Sequence, residues 1–184
     1  MDHIILHPKT KTRILRPKEF QALLEAVPKM EHQDLLEVLL YTGARYSEIQ
    51  ALYKHPQWFQ GNAIHMPSFK KKAVYSGRYI RLNKQGERAV KYFFKNKKSP
   101  PHYVGFDNNL KRWAQYAKLD PNGLSIKTTR KTWESWLVTK YPQQLEYIFL
   151  SQGHSRMTAL KYYLMLPFNN EDKEYMENYT SGWI

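Results

Sequence analysis

Thr42-Gly43-Ala44-Arg45-Tyr46-Ser47-Glu48-Ile49 is the stretch that decides how this chain is read. Before it, Leu35, Leu36, Val38, Leu39 and Leu40 give a broad apolar face at helical spacing. Gly43 then stands where a helix C-terminus uses left-handed backbone, a conformation that costs glycine nothing. After it, Ser47 is placed to cap another helix, whose apolar side is Ile49, Leu52 and Tyr53. The prediction is helix, glycine turn, helix, with Arg45 at the turn. The same skeleton serves helix-turn-helix DNA readers, so this stretch alone leaves a DNA-reading module and a catalytic use of Arg45 side by side.

Working outward, residues 1–16 are basic, contain Pro8 and read as a linker or the start of the domain. Pro17 opens a helix with Phe20, Leu23, Leu24 and Val27 on one side, and Pro28 stops it. From Trp58 to Leu82 the pattern turns β-like. Ala63-Ile64-His65-Met66 and Arg78-Tyr79-Ile80-Arg81-Leu82 read as strands, with the basic loop Lys70-Lys71-Lys72 between them. The remainder is helical over roughly 84–96, 106–118, 126–140, 143–151, 156–165 and 171–179, punctuated by Pro100-Pro101, Pro121-Asn122-Gly123 and Pro142. The fold class expected is mainly α with a small antiparallel β-sheet, in one domain over 17–184.

Charge narrows the partners. With 29 Lys+Arg against 16 Asp+Glu the formal charge is +13, the electrostatic footprint of a polyanion-binding protein. No stretch approaches the ~20 consecutive apolar residues of a spanning helix, and no signal-peptide pattern is present, so an intracellular protein with no membrane partner is expected. The chain has no cysteine, which removes disulfides, Cys-zinc sites and thiol nucleophiles together. A metal-dependent nuclease is disfavoured as well. Of the seven histidines only His3 and His7 have i,i+4 spacing, beside Pro8, and no carboxylate cluster completes a site, so no metal or other cofactor is expected.

Three further pieces follow Arg45 in order: Lys127-Thr128-Thr129-Arg130, Gln152-Gly153-His154 and Tyr163. Each alone is weak. An isolated Lys-x-x-Arg is usually a solvated helix face, and a Gly-His pair usually a helix terminus. In this order and spacing they resemble the active-site signature of the tyrosine recombinases. Thr-Gly-Ala-Arg-Tyr-Ser-Glu-Ile is similar to that family's Thr-Gly-x-Arg-x-Ser-Glu-Leu box, with Ile49 for leucine. Lys127-x-x-Arg130 resembles its His-x-x-Arg, with lysine in the histidine place. Gln152-Gly153-His154 resembles its Leu-Gly-His, with glutamine for leucine, nine residues before the tyrosine. The divergent boxes are most similar to those of integrases from archaeal viruses and plasmids.

Elementary chemistry agrees with that set. A tyrosine hydroxyl attacks phosphorus without a metal only where fixed cations hold the charge growing on the nonbridging oxygens. Arginine suits the task, because its planar fork grips two phosphate oxygens and stays charged. The poor 5′-oxygen leaving group needs a general acid, for which a flexible lysine serves. The resemblance then implies Tyr163 as nucleophile; Arg45, Lys127, Arg130 and His154 as stabilisers of the transition state; and Lys72 as the acid. Lys70 and Lys71 share Lys72's loop, and the triplet could instead bind only backbone phosphate. Tyr162 adjoins Tyr163, but only Tyr163 fits the interval from His154, and neighbours on a helix point about 100° apart. Glu48 reads as a supporting or helix residue.

The implied reaction is strand exchange on double-stranded DNA through a covalent 3′-phosphotyrosyl intermediate, within a self-associated tetramer, in the setting of viral or plasmid genome integration. The resemblance also implies an amino-terminal DNA-clamping domain, expected to be absent, and a tail over 164–184 that packs either on its own domain or on a neighbouring subunit. A type IB topoisomerase uses related chemistry and remains an alternative.

Overall fold

Proline and glycine set most element boundaries. The computed structural model describes residues 3–68, 77–154 and 156–184, the side chains of Thr158 and Ala159 excepted. Helix α1 (Pro17–Glu25) begins at its proline, and the Glu19 carboxylate accepts the Arg16 backbone N–H at 2.8 Å. Helix α2 (Met30–Thr42) is buried almost all round and ends at Gly43, whose φ of 55° is left-handed. A Cβ at Gly43 would lie 2.8 Å from the Trp133 ring and closer still to the Gln152 amide oxygen, so only glycine fits this turn.

Helix α3 (Tyr46–Lys54) starts differently from the expected Ser47 cap. Arg45 occupies the cap position, and Glu48 reaches back to its backbone N–H at 2.7 Å, which leaves Ser47 exposed in the first turn. Helices α4 (Lys84–Lys95), α5 (Tyr103–Tyr116), α6 (Thr128–Lys140), α7 (Leu145–Gln152) and α8 (Asn170–Thr180) follow the helical segments expected from the sequence. Asn83 and Asn169 cap α4 and α8 through their side-chain oxygens.

Two small antiparallel sheets are present where one was expected. Strands β1 (Ile5–Leu6) and β2 (Arg13–Ile14) form the first, inside the stretch expected to be a linker. Ile5, Ile14 and Leu15 are buried, and the Leu15 backbone bonds Thr132 and Trp136 of α6, so this stretch is part of the core. Its charge concealed a short apolar alternation. Strands β3 (Ala63–Pro67) and β4 (Gly77–Arg81) form the second, with Ile64 opposite Ile80 and both inward. The loop carrying Lys70, Lys71 and Lys72 lies outside the described residues.

The core is built around α2 and α6, where Leu36, Leu39, Leu40, Trp133, Trp136 and Leu137 are all fully buried. Truncating either tryptophan to alanine costs roughly 3–5 kcal/mol in such a setting. Helix α8 packs on the same body: Arg16 pairs with Asp172, Tyr141 donates to the Thr180 carbonyl at 2.8 Å, and Met176 is fully buried. The tail therefore docks on its own domain.

Between α7 and α8, the segment Met157–Met165 winds as a 3₁₀ helix instead of the expected α-helix. Leu160 and Tyr163, three apart, are fully buried among its described side chains, which matches a period of three residues per turn. Tyr162 is 42 % exposed and Tyr163 only 1 %.

Candidate active site

Helix α6 brings Arg130 and Glu134 one turn apart on one face, with Lys131 beside them. The Glu134 carboxylate is completely buried. One oxygen takes Arg130 Nε at 2.8 Å and His154 Nε2 at 2.9 Å; the other takes Lys131 Nζ at 3.1 Å and the Tyr163 hydroxyl at 2.7 Å. Lys131 Nζ also donates to the Tyr163 oxygen at 2.9 Å. Burial pushes the Glu134 carboxyl up, but the His154 hydrogen bond and the charges of Arg130 and Lys131 outweigh it and hold the group well below the usual carboxylate range. Tyr163 moves the other way. Burial, then the charge and hydrogen bond of Glu134, push its hydroxyl far above the ordinary phenol range.

Arg130 ties the site together. Nη1 donates to the Gly43 carbonyl at 2.8 Å and Nη2 to the Gln152 carbonyl at 2.5 Å. Gly43 ends α2 two residues before Arg45, and Gln152 ends α7 two residues before His154. The guanidinium thus fastens together the two turns that present those side chains. Three of its five N–H donors are committed to these partners among the described residues.

A second buried carboxylate stands under Arg45. Glu48 accepts Arg78 Nη1 at 2.7 Å and Nη2 at 2.9 Å, and Arg45 Nη1 at 3.0 Å. Burial would raise Glu48, yet the Arg78 hydrogen bonds and charge, with Arg45 behind them, bring it down to about 2. Arg78 Nε also donates to the Ser151 carbonyl at 3.0 Å, which joins β4 and α3 to the end of α7. Arg45, Arg78 and Arg130 lie close enough for the first two to act on Arg130 as like charges. The result is a cationic surface anchored from beneath by Glu48 and Glu134, with the Arg45 side chain 54 % exposed at its mouth.

No protein-family profile and no curated protein matches the sequence. Among solved structures, the crystal structure of XerA recombinase is similar at a TM-score of 0.66 and 16% identity, over 91% of this chain and 65% of that one. The Tn1549 transposon integrase, in complex with circular intermediate DNA, is similar at a TM-score of 0.69 and 18% identity, over 90% of this chain and 66% of that one. The fold is that of a tyrosine recombinase catalytic domain. This chain spans just under two thirds of the length of either protein.

Within the tyrosine recombinase fold, Arg45, Arg130, His154 and Tyr163 come together. Lys127 stands exposed at the start of α6, one turn before Arg130. Lys72 lies outside the described residues. Glu134, Lys131, Arg78 and His7 were not singled out from the sequence. A carboxylate four residues after Arg130, on the same face of the helix, was the available sign of Glu134. His7 gave none: its buried ring reaches Tyr163, centroid to centroid 5.5 Å, only because the β1–β2 hairpin folds back. Among the described residues no three His, Asp or Glu side chains gather as a metal site, and no helix is long and apolar enough to cross a membrane.

Proposed function

We propose that this chain is the catalytic part of a site-specific DNA recombinase or integrase that breaks and rejoins strands through a covalent tyrosine–phosphate linkage. The observation that carries this is Arg130: its guanidinium holds the turns bearing Arg45 and His154 together, while Glu134, one helical turn on, holds both His154 and Tyr163. A phosphodiester set on Arg45, Arg130 and His154, with Lys127 at the rim, has cations where the pentavalent transition state gathers charge. Tyr163 gives its proton up to solvent, its oxygen forms the new bond to phosphorus as the bond from phosphorus to the 5′ oxygen breaks, and the 5′ oxygen leaves with a proton from a lysine of the loop that carries Lys72. Bond energy is conserved in the tyrosyl ester, so neither ATP nor metal enters the reaction. The net charge of +13 suits double-stranded DNA as substrate, and strand exchange between two duplexes calls for a tetramer. Integration of a viral or plasmid genome is the setting the sequence boxes favour.

The test is covalent trapping. Nicked duplex DNA carrying a candidate attachment site, incubated with the protein in EDTA, should give an SDS-stable adduct that Tyr163→Phe abolishes while DNA affinity stays within about twofold. Good DNA binding without an adduct would instead favour a non-catalytic DNA-binding module.

A further inference from the structure

The four contacts to Glu134 have a consequence for Tyr163. The hydroxyl is 1 % exposed as part of its residue and spends its only proton on a carboxylate that itself has no solvent contact. Among the described residues the groups around it are Glu134, Lys131 and Arg130 from α6, His154 after α7, and the His7 ring from the β1–β2 hairpin. Of these only Glu134 is anionic. It is also the sole group bonding Arg130, His154 and Tyr163 at once, at 2.8, 2.9 and 2.7 Å.

We infer that Glu134 and Lys131 are paired positioning residues for the transesterification, acting through Tyr163: Glu134 orients Arg130 and His154 while restraining the tyrosine proton, and Lys131 opposes it as the cation beside the attacking phenolate oxygen. This rests on the phosphotyrosyl reading above. Glu134 is not the base that takes the tyrosine proton to completion. The charges of Arg130 and Lys131 and the His154 hydrogen bond hold it ionised and make it a poor proton acceptor, so the proton is lost to solvent and the role of Glu134 is orientation and restraint. Lys131, at 2.9 Å from the phenolic oxygen, favours the ionised form on elementary electrostatics. The two side chains therefore pull the pH at which Tyr163 becomes reactive in opposite directions.

The experiment measures adduct formation on the nicked duplex from pH 6 to 10 for the full chain and for Glu134→Gln, Lys131→Met and Tyr163→Phe, with DNA affinity in parallel. Glu134→Gln should slow the reaction by ~10–100-fold, because Arg130 and His154 lose their common anchor. Its pH profile should move to lower pH, because the anion beside the phenol is gone. Lys131→Met should slow the reaction by roughly tenfold and move the profile to higher pH. DNA affinity should stay within about twofold in both, since the Glu134 side chain is fully buried and that of Lys131 is only 17 % exposed. A purely structural role would lower activity without displacing the profile. Profiles that do not move, or that move together, overturn the proposal. If Glu134→Gln loses its fold by circular dichroism, Lys131→Met decides alone, because Glu134 there keeps Arg130 and His154. An unmutated chain that forms no adduct, or an adduct that survives Tyr163→Phe, brings down the phosphotyrosyl reading first.

Discussion

Arg78 closes a two-pronged bond on Glu48, 2.7 and 2.9 Å long, between a strand and a helix that are 30 residues apart in sequence. Glu48 is 5 % exposed and, among the described residues, has Arg45 as its other cation. The pair is thus a brace beneath the exposed Arg45.

Arg78→Met should therefore cost roughly 2–4 kcal/mol in urea denaturation, because it strands a buried carboxylate. Arg78→Lys should recover part of the loss, since a lysine restores the charge without the fork. The same brace fixes an acid limb. A carboxyl lowered from 4.5 to about 2 adds stability above pH 4.5 that fades as the pH falls towards 2. Glu48→Gln should flatten that limb, and an unchanged slope would show that Glu48 is not bound as described.

Lys127 and Arg130 should separate cleanly. Lys127→Ala, at an exposed helix start, should change stability by no more than ~0.5 kcal/mol while lowering the salt dependence of DNA binding by about one unit of slope. Arg130→Ala leaves Glu134 short of a buried partner and should cost ~3–5 kcal/mol. Parallel thermal melts and salt titrations check both, and equal stability losses would contradict the geometry.

His7 sets a second pH dependence, of the opposite chemical kind. Burial first, then the charge of Lys131, push its imidazole from 6.5 down to about 4, so the folded protein prefers the neutral ring. The unfolded chain takes up the proton first. Stability is then full above about pH 6.5 and is lost as the pH falls towards 4. His7→Gln should remove that loss in melts recorded between pH 7 and 4. A variant that melts with the same pH dependence as the unaltered chain would place the titration elsewhere.

The helices were legible because their signals are local. Pro17, Gly43 and the apolar faces of α2 and α6 follow helical periodicity, and the chain obeys it. The 3₁₀ winding of Met157–Met165 was not legible, since Leu160 and Tyr163 at i,i+3 suit an α-helix equally well. The packing of residues 3–16 escaped for another reason: Ile5, Ile14 and Leu15 are few and lie among lysines and prolines. Arg45, Arg130, His154 and Tyr163 were grouped by their resemblance to a known signature, and the fold brings these four close together. Glu134 and Arg78 were not legible, because a buried carboxylate is recognised by what surrounds it, and those surroundings come from segments dozens of residues away.

His7 and Tyr163 are separated by 156 residues (163 − 7) in the chain, yet the His7 ring leans on the Tyr163 ring, and the Lys9 ammonium lies over the neighbouring Tyr162 at 4.8 Å. The first hairpin is thus in contact with two adjacent tyrosines, one shielded and one open, and with the tryptophan core through Leu15.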